Sequence, residues 1–145
     1  SYTTKDPTAL VANQWYTYIS LEEFRKMCDS GELVTSTMYA GQGYGSKWCD
    51  IERILGSGKR VMTTMDICGA MALKTYYKNV TTIYIKREKR ALMASILQKN
   101  STIEAKVNRL ASIDYEVQNA SLCDHIINFE DYDDAVAQLK ETLGN

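Results

Sequence analysis

An α/β fold with parallel strand pairing is predicted by three features. Short β-branched or aromatic runs alternate with helix-period segments, capping or turn residues mark the switches, and 145 residues suit one domain. Thr3 to Gln14, around the single proline Pro7, reads as loop. Trp15 to Ser20, WYTYIS, is aromatic and partly alternating and reads as a short strand. Ser20 with Glu23 forms a capping box for a helix with an apolar face of Leu21, Phe24, Met27 and Cys28, stopped at Gly31. ELVTSTMYA, Glu32 to Ala40, reads as one or two short strands. GQGYGSKWCD, Gly41 to Asp50, reads as a turn before a helix with Trp48, Ile51, Ile54 and Leu55 at helical spacing.

Arg60 to Asp66, RVMTTMD, reads as the next strand and Ile67 to about Tyr77 as a helix. TTIYIK, Thr81 to Lys86, reads as a strand buried on both faces. Helices are expected at about Lys89 to Lys99 and Ile103 to Gln118, the second carrying Ile103, Val107, Leu110, Asp114 and Val117 along one side. DHIINF, Asp124 to Phe129, closes the strands, and Asp131 opens a final helix with Ala135, Val136 and Leu139.

Hydrophobic residues are 45% and charged residues 24% of the chain, an ordinary globular balance, and a net charge of -1 supplies no basic field for nucleic acid. An anion site must therefore be local. No apolar run approaches the roughly eighteen residues needed to cross a bilayer, and no basic-then-apolar pattern opens the sequence. A cytoplasmic protein is expected, with neither nucleic acid nor membrane as partner. Cys28, Cys49, Cys68 and Cys123 form no CxxC pair, and no histidine stands at metal-ligand spacing. Reduced, partly buried thiols and no bound metal are expected.

Three constellations could carry chemistry. GSGKR, Gly56 to Arg60, ends like a phosphate-binding P-loop, but Arg53 stands where the first glycine belongs and Arg60 where Ser or Thr belongs. It also runs from helix into strand, so no helix N-terminus faces a phosphate, and it reads as a helix end and turn. Asp66 with Gly69 lies where open α/β sheets place ligands, and equally where an N-cap belongs, and position alone leaves both open. Tyr44 and Ser46 flank Gly45, offering two hydroxyls to an anion where backbone can approach closely, or else decorating a hairpin. His125, alone in a strand, reads as structural.

In order along the chain, SYTTK with Pro7, Tyr16 with ISLEEF through Phe24, Gly31 and Glu32, Tyr44 to Ser46, Gly58 and Lys59, Asp66 with Gly69 and Ala70, Asn108 to Leu110 and Asp124 to Asn128 resemble the guanylate kinases. The resemblance covers most of the chain. It implies a nucleoside-monophosphate-kinase-like parallel sheet with a small GMP-binding subdomain, about residues 1–58, and core strands, helical lid and C-terminal helices over 59–145. The family reaction moves a phosphoryl group from ATP to GMP with magnesium. By the same resemblance, Ser1 is a base-contacting serine, and Lys5 stands where the family has an arginine on the GMP phosphate. Tyr16, Tyr44 and Ser46 hold that phosphate, Asp66 lies near the guanine edge, and Arg109 reaches the transferring phosphoryl group.

The sequence also departs from the family pattern. A second phosphate arginine is Thr8 here, the guanine-reading glutamate is Thr35, the first aspartate of a D-x-D strand end is Thr64, and the lid keeps only Lys99 where arginines are usual. A threonine hydroxyl cannot accept two adjacent guanine N–H groups as a carboxylate does, so weaker guanine selectivity is expected. The family's P-loop falls before the position of Ser1. The expectation is therefore a chain that binds GMP or a similar phosphorylated ligand without transferring phosphoryl groups by itself, ATP and magnesium entering only where a P-loop is supplied. The alternative is a non-catalytic interaction module, of the scaffold guanylate-kinase-like type, that takes a phosphorylated peptide. A sheet short of one strand is expected to form a homodimer or to cover its edge with a rearranged segment.

Overall fold

Four short strands hydrogen-bond into one sheet in the first of two units, Ser1–Lys78 and Asn79–Asn145, in a computed structural model that describes residues 1–7, 15–39 and 41–144. They are β1 (Tyr2–Thr3), β2 (Thr17–Tyr18), β3 (Leu33–Tyr39) and β4 (Gln42–Lys47), in the order β2-β1-β4-β3. Only β1 and β2 pair in parallel; β4 runs antiparallel to both β1 and β3, so this sheet is mixed where parallel pairing was expected. Thr3 belongs to a strand and not to the N-terminal loop. The remainder of that loop, from Thr8, lies outside the described residues.

GQGYGSKWCD takes the hairpin form that its sequence left open, and Trp48 starts the expected helix. Gln42–Lys47 is the second arm of a hairpin whose turn passes through Gly41 at φ 79°, a left-handed conformation that glycine adopts without steric cost. The sequence implied that Gly45 leaves room for a ligand. Instead, a Cβ there would lie 2.8 Å from Leu33 Cδ1 and 2.9 Å from the Thr35 carbonyl oxygen, so the missing side chain serves strand packing.

Helix α1 (Leu21–Asp29) starts as its capping residue requires, Ser20 Oγ accepting from the Glu23 N–H at 3.1 Å. Phe24 and Met27 are buried, but Leu21 and Cys28 are exposed, so the apolar stripe is narrower than expected. Cys49 and Cys68 are exposed too, and only Cys123 is half-buried, which corrects the expectation of partly buried thiols. Helix α2 (Trp48–Gly56) ends in a turn with Gly58 at φ 75°, and α3 (Ile67–Tyr76) starts at the Asp66 cap. Between them Arg60 to Asp66 forms no strand. β-propensity does not make a strand without a ladder partner, and no strand among the described residues pairs with this segment.

At the end of α3, Tyr77 donates to Glu52 Oε1 at 2.7 Å. Burial, then that hydrogen bond and the charge of Glu52, push the phenol from 10.0 up to about 12. A group with a raised folded pKa contributes stability that is complete below its unfolded value and is lost as pH rises through the folded one. Thermal midpoints should therefore fall between about pH 10 and 12, and fall less in Tyr77→Phe. Equal falls in both proteins would remove Tyr77 as the cause.

The second unit pairs β5 (Ile83–Lys86) with β6 (His125–Asn128) in parallel, Ile83 opposite His125 and Lys86 opposite Asn128. The register is locked at one end: Asp124 Oδ2 accepts from the Thr82 N–H at 2.8 Å and the Thr82 hydroxyl at 2.7 Å, while the Asp124 N–H donates to Thr82 Oγ1 at 3.1 Å. Helices α4 (Lys89–Gln98) and α5 (Ile103–Asn119) form the crossover that parallel pairing requires, and α6 (Tyr132–Leu143) follows β6. Glu88, Thr102 and Asp131 cap these helices through their side chains. Buried Ile96, Ile113, Ala120, Ile127 and Ala135 supply the core.

Two expectations fail here. Ile85 and Lys86 are exposed, so β5 is not buried on both faces. Helix α5 presents a face rotated from the expected one: Ile103 is 82% exposed and Val107, Asp114 and Val117 also face solvent, Leu110 of the expected stripe is half-buried, and Ile113 is buried with Lys106, Arg109 and Glu116 half-buried. Long charged side chains cover surface with their aliphatic stems, so this stripe carries little hydrophobic signal.

Candidate functional site

A face of hydroxyls follows from the pleat of the first sheet. Tyr44 and Ser46 are two positions apart on β4 and so share a face; antiparallel register sets Thr37 opposite Tyr44 and Thr35 opposite Ser46 on that same side. Gly43 and Gly45 alternate to the other side, where Phe24 and Leu33 occupy the space of their absent side chains. Tyr44 is flanked edge-on by Tyr16, with ring centres 6.0 Å apart, and by Tyr39 at 6.5 Å. The predicted residues Tyr16, Tyr44 and Ser46 thus come together although 28 residues separate the first from the second.

The segment leading to α3 lies against this face. Thr37 Oγ1 donates to Asp66 Oδ2 at 2.7 Å, and Asp66 Oδ1 accepts from the Gly69 N–H at 2.8 Å. Asp66 is therefore an N-cap, and its second oxygen is held beside the hydroxyls by Thr37. Ser1 Oγ lies 3.5 Å from Thr63 Oγ1, which brings the predicted serine against the same segment. Lys5 follows β1, half-buried, its N–H donating to Thr3 Oγ1 at 3.2 Å. Thr35 is 6% exposed, a neutral side chain where an ionised one would carry a desolvation cost. Thr8 lies outside the described residues.

Sequence reasoning missed Thr37 and Thr63. The signal for Thr37 was present in LVTSTMY, whose alternating threonines place two hydroxyls on one face once the run is taken as a strand. Arg109 lies in α5, half-buried, in the second unit. Lys99 caps the C-terminus of α4 within the segment expected to form the lid.

Other features are structural. The amides of Ser57 and Gly58 donate to Ile54 and Leu55 carbonyls at 3.1 and 2.9 Å, so GSGKR ends a helix and does not cradle a phosphate. A cleft of about 320 Å³ is lined by Ser30, Gly31, Glu32, Lys47, Trp48 and Cys49 and contains none of the predicted residues. Its two charges pair at 3.0 Å, which raises Lys47 and lowers Glu32 from their usual values. Among the described residues no three His, Cys, Asp or Glu side chains group as metal ligands, and no helix is long and apolar enough to cross a membrane.

The guanylate kinase family model matches residues 1–145. The chain is 30% identical to guanylate kinase from Cupriavidus metallidurans over 146 aligned positions, covering 99% of this chain and 68% of that protein. It is 28% identical to the guanylate kinase of Synechocystis over 147 positions, covering 99% and 77%, and 32% identical to that of Thermotoga maritima over 123, covering 83% and 59%. The chain thus spans roughly two thirds of the length of these relatives. A crystal structure of guanylate kinase from Anaplasma phagocytophilum superposes with a TM-score of 0.80 at 20% identity, covering 99% of this chain and 71% of that one, and so shares its fold. With an α/β fold, the motif pattern and a family match along its whole length, the chain belongs to the guanylate kinase family.

Proposed function

We propose that the hydroxyl face of the first unit binds GMP, or a closely similar phosphorylated ligand, as the phosphoryl acceptor in the reaction between ATP and GMP. The observation that carries this reading is the convergence of Tyr16, Tyr44 and Ser46 on one face, with Asp66 fixed beside it. Tyrosine and serine hydroxyls donate to phosphate oxygens, and hydrogen bonds to a charged acceptor are about twice as strong as neutral ones. Lys5 adds a point charge without the fork of an arginine. A carboxylate repels phosphate, so the ligand runs with its phosphate toward the tyrosines and its N–H groups toward Asp66.

On the family pattern Arg109, in the second unit, is the residue proposed to meet phosphoryl charge, which a guanidinium would stabilise. ATP supplies the phosphoryl group when bound. Calorimetric titration should give saturable heat with GMP and far less with guanosine or inorganic phosphate. No heat above buffer at millimolar GMP would sink the proposal, and saturable capture of a phosphoserine peptide in its place would favour an interaction module.

A further inference from the structure

Tyr44 is met by aromatic rings from two different elements. Tyr16 meets it edge-on with ring centres 6.0 Å apart and planes at 64°, and Tyr39 does so at 6.5 Å and 66°. Tyr18 meets Tyr16 in turn at 6.5 Å and 61°, so Tyr18, Tyr16, Tyr44 and Tyr39 form a row of edge-to-face rings. In such pairs the positive edge of one ring lies against the negative face of the next, and each pair adds stability beyond its buried area. Tyr39 reaches Tyr44 through the hairpin register. It lies opposite Gln42, two positions before Tyr44 on β4, which makes the two tyrosines a diagonal pair within reach of long side chains.

We infer that Tyr39 is a positioning residue for the phosphate contact of Tyr44: its ring, with that of Tyr16, confines Tyr44 to one rotamer. The inference rests on the proposed function, because it takes Tyr44 to donate to a phosphate oxygen. A tyrosine hydroxyl stands at the far tip of its ring, and side chains on strands populate two χ1 wells, near 180° and −60°. A change of well carries that hydroxyl out of reach of the oxygen it would otherwise meet. Neighbouring rings that favour one well therefore act on affinity without touching the ligand, because binding weakens by the fraction of time that the competent arrangement is absent. Tyr39 was singled out neither by its spacing nor by the resemblance to a family. It acts through Tyr44 alone, and its own hydroxyl is not required.

Calorimetric titration of the chain with GMP and guanosine tests this. Tyr39→Leu, which keeps apolar bulk but no ring, should weaken GMP about threefold to tenfold, the worth of one edge-to-face pair, and leave guanosine unchanged. Tyr39→Phe restores the ring and should restore GMP affinity. In a Tyr44→Phe background, where the donating hydroxyl is already gone, Tyr39→Leu should cost GMP nothing further. Undiminished GMP binding by Tyr39→Leu overturns the inference, as does an equal loss in Tyr39→Phe, which would mean that the Tyr39 hydroxyl meets the ligand itself. A loss that persists undiminished in the Tyr44→Phe background, or that falls equally on guanosine, would mark a general structural effect and also overturn it. All of these outcomes leave the proposed function standing. Failure of the parent chain to bind GMP overturns the proposed function itself.

Discussion

Phe24→Ala should destabilise the first unit by about 3–5 kcal/mol, the range for emptying a buried aromatic site. Phe24 is 4% exposed, and its ring occupies the space that a side chain on Gly43 would take: a Cβ there would lie 2.9 Å from Phe24 Cε1. Removing the ring leaves a cavity with glycine as its floor. Glycine has no side chain to lean in, and β4 is held by ladders to β1 and β3, so the site cannot collapse cheaply. Both tryptophans, Trp15 and Trp48, lie in this unit, and tryptophan fluorescence therefore reports on it alone. The urea midpoint should drop by at least about 1.5 M, taking a slope of roughly 1–2 kcal/mol per molar for a unit of this size. A drop below about half a molar would mean that Met27, the other buried residue of α1, holds the helix without Phe24.

Where structure follows from local chemistry, the sequence was legible. Ser20, Asp66 and Asp131 cap helices because a short side chain with an oxygen satisfies an otherwise unpaired N–H of the first turn. GSGKR was dismissed as a P-loop on spacing, and its amides are indeed spent on α2. What depends on distant partners was not legible. Arg60 to Asp66 has the composition of a strand but no ladder partner among the described residues, and the face of α5 around buried Ile113 holds half-buried Lys106, Arg109 and Glu116, which a hydrophobic period cannot reveal. The site divides in the same way. Tyr44 and Ser46 drew notice as hydroxyls beside glycine, and the link to Tyr16 came from the resemblance to a family, not from periodicity. Thr37 escaped both, because its role appears only when the hairpin register and the start of α3 meet at Asp66.

Replacing Tyr44 with phenylalanine and Ser46 with alanine together should weaken GMP binding by about a hundredfold or more. Each change deletes one hydroxyl proposed to donate to a phosphate oxygen, and a hydrogen bond to a charged group contributes about 1.5–3 kcal/mol. The pair is chosen to leave the fold intact. Phenylalanine keeps the ring that meets Tyr16 at 6.0 Å and Tyr39 at 6.5 Å, and alanine at position 46 keeps the β4 backbone in register with Thr35. Circular dichroism and the urea midpoint should match the parent, which separates a lost contact from a lost structure. Guanosine, which has no phosphate, supplies the internal control: its weak binding should be the same in parent and variant. A variant that binds GMP as tightly as the parent would show that the phosphate lies elsewhere. A variant that loses GMP and guanosine equally would show that the two hydroxyls hold the sugar or the base, and would reverse the direction in which the ligand lies between the tyrosines and Asp66.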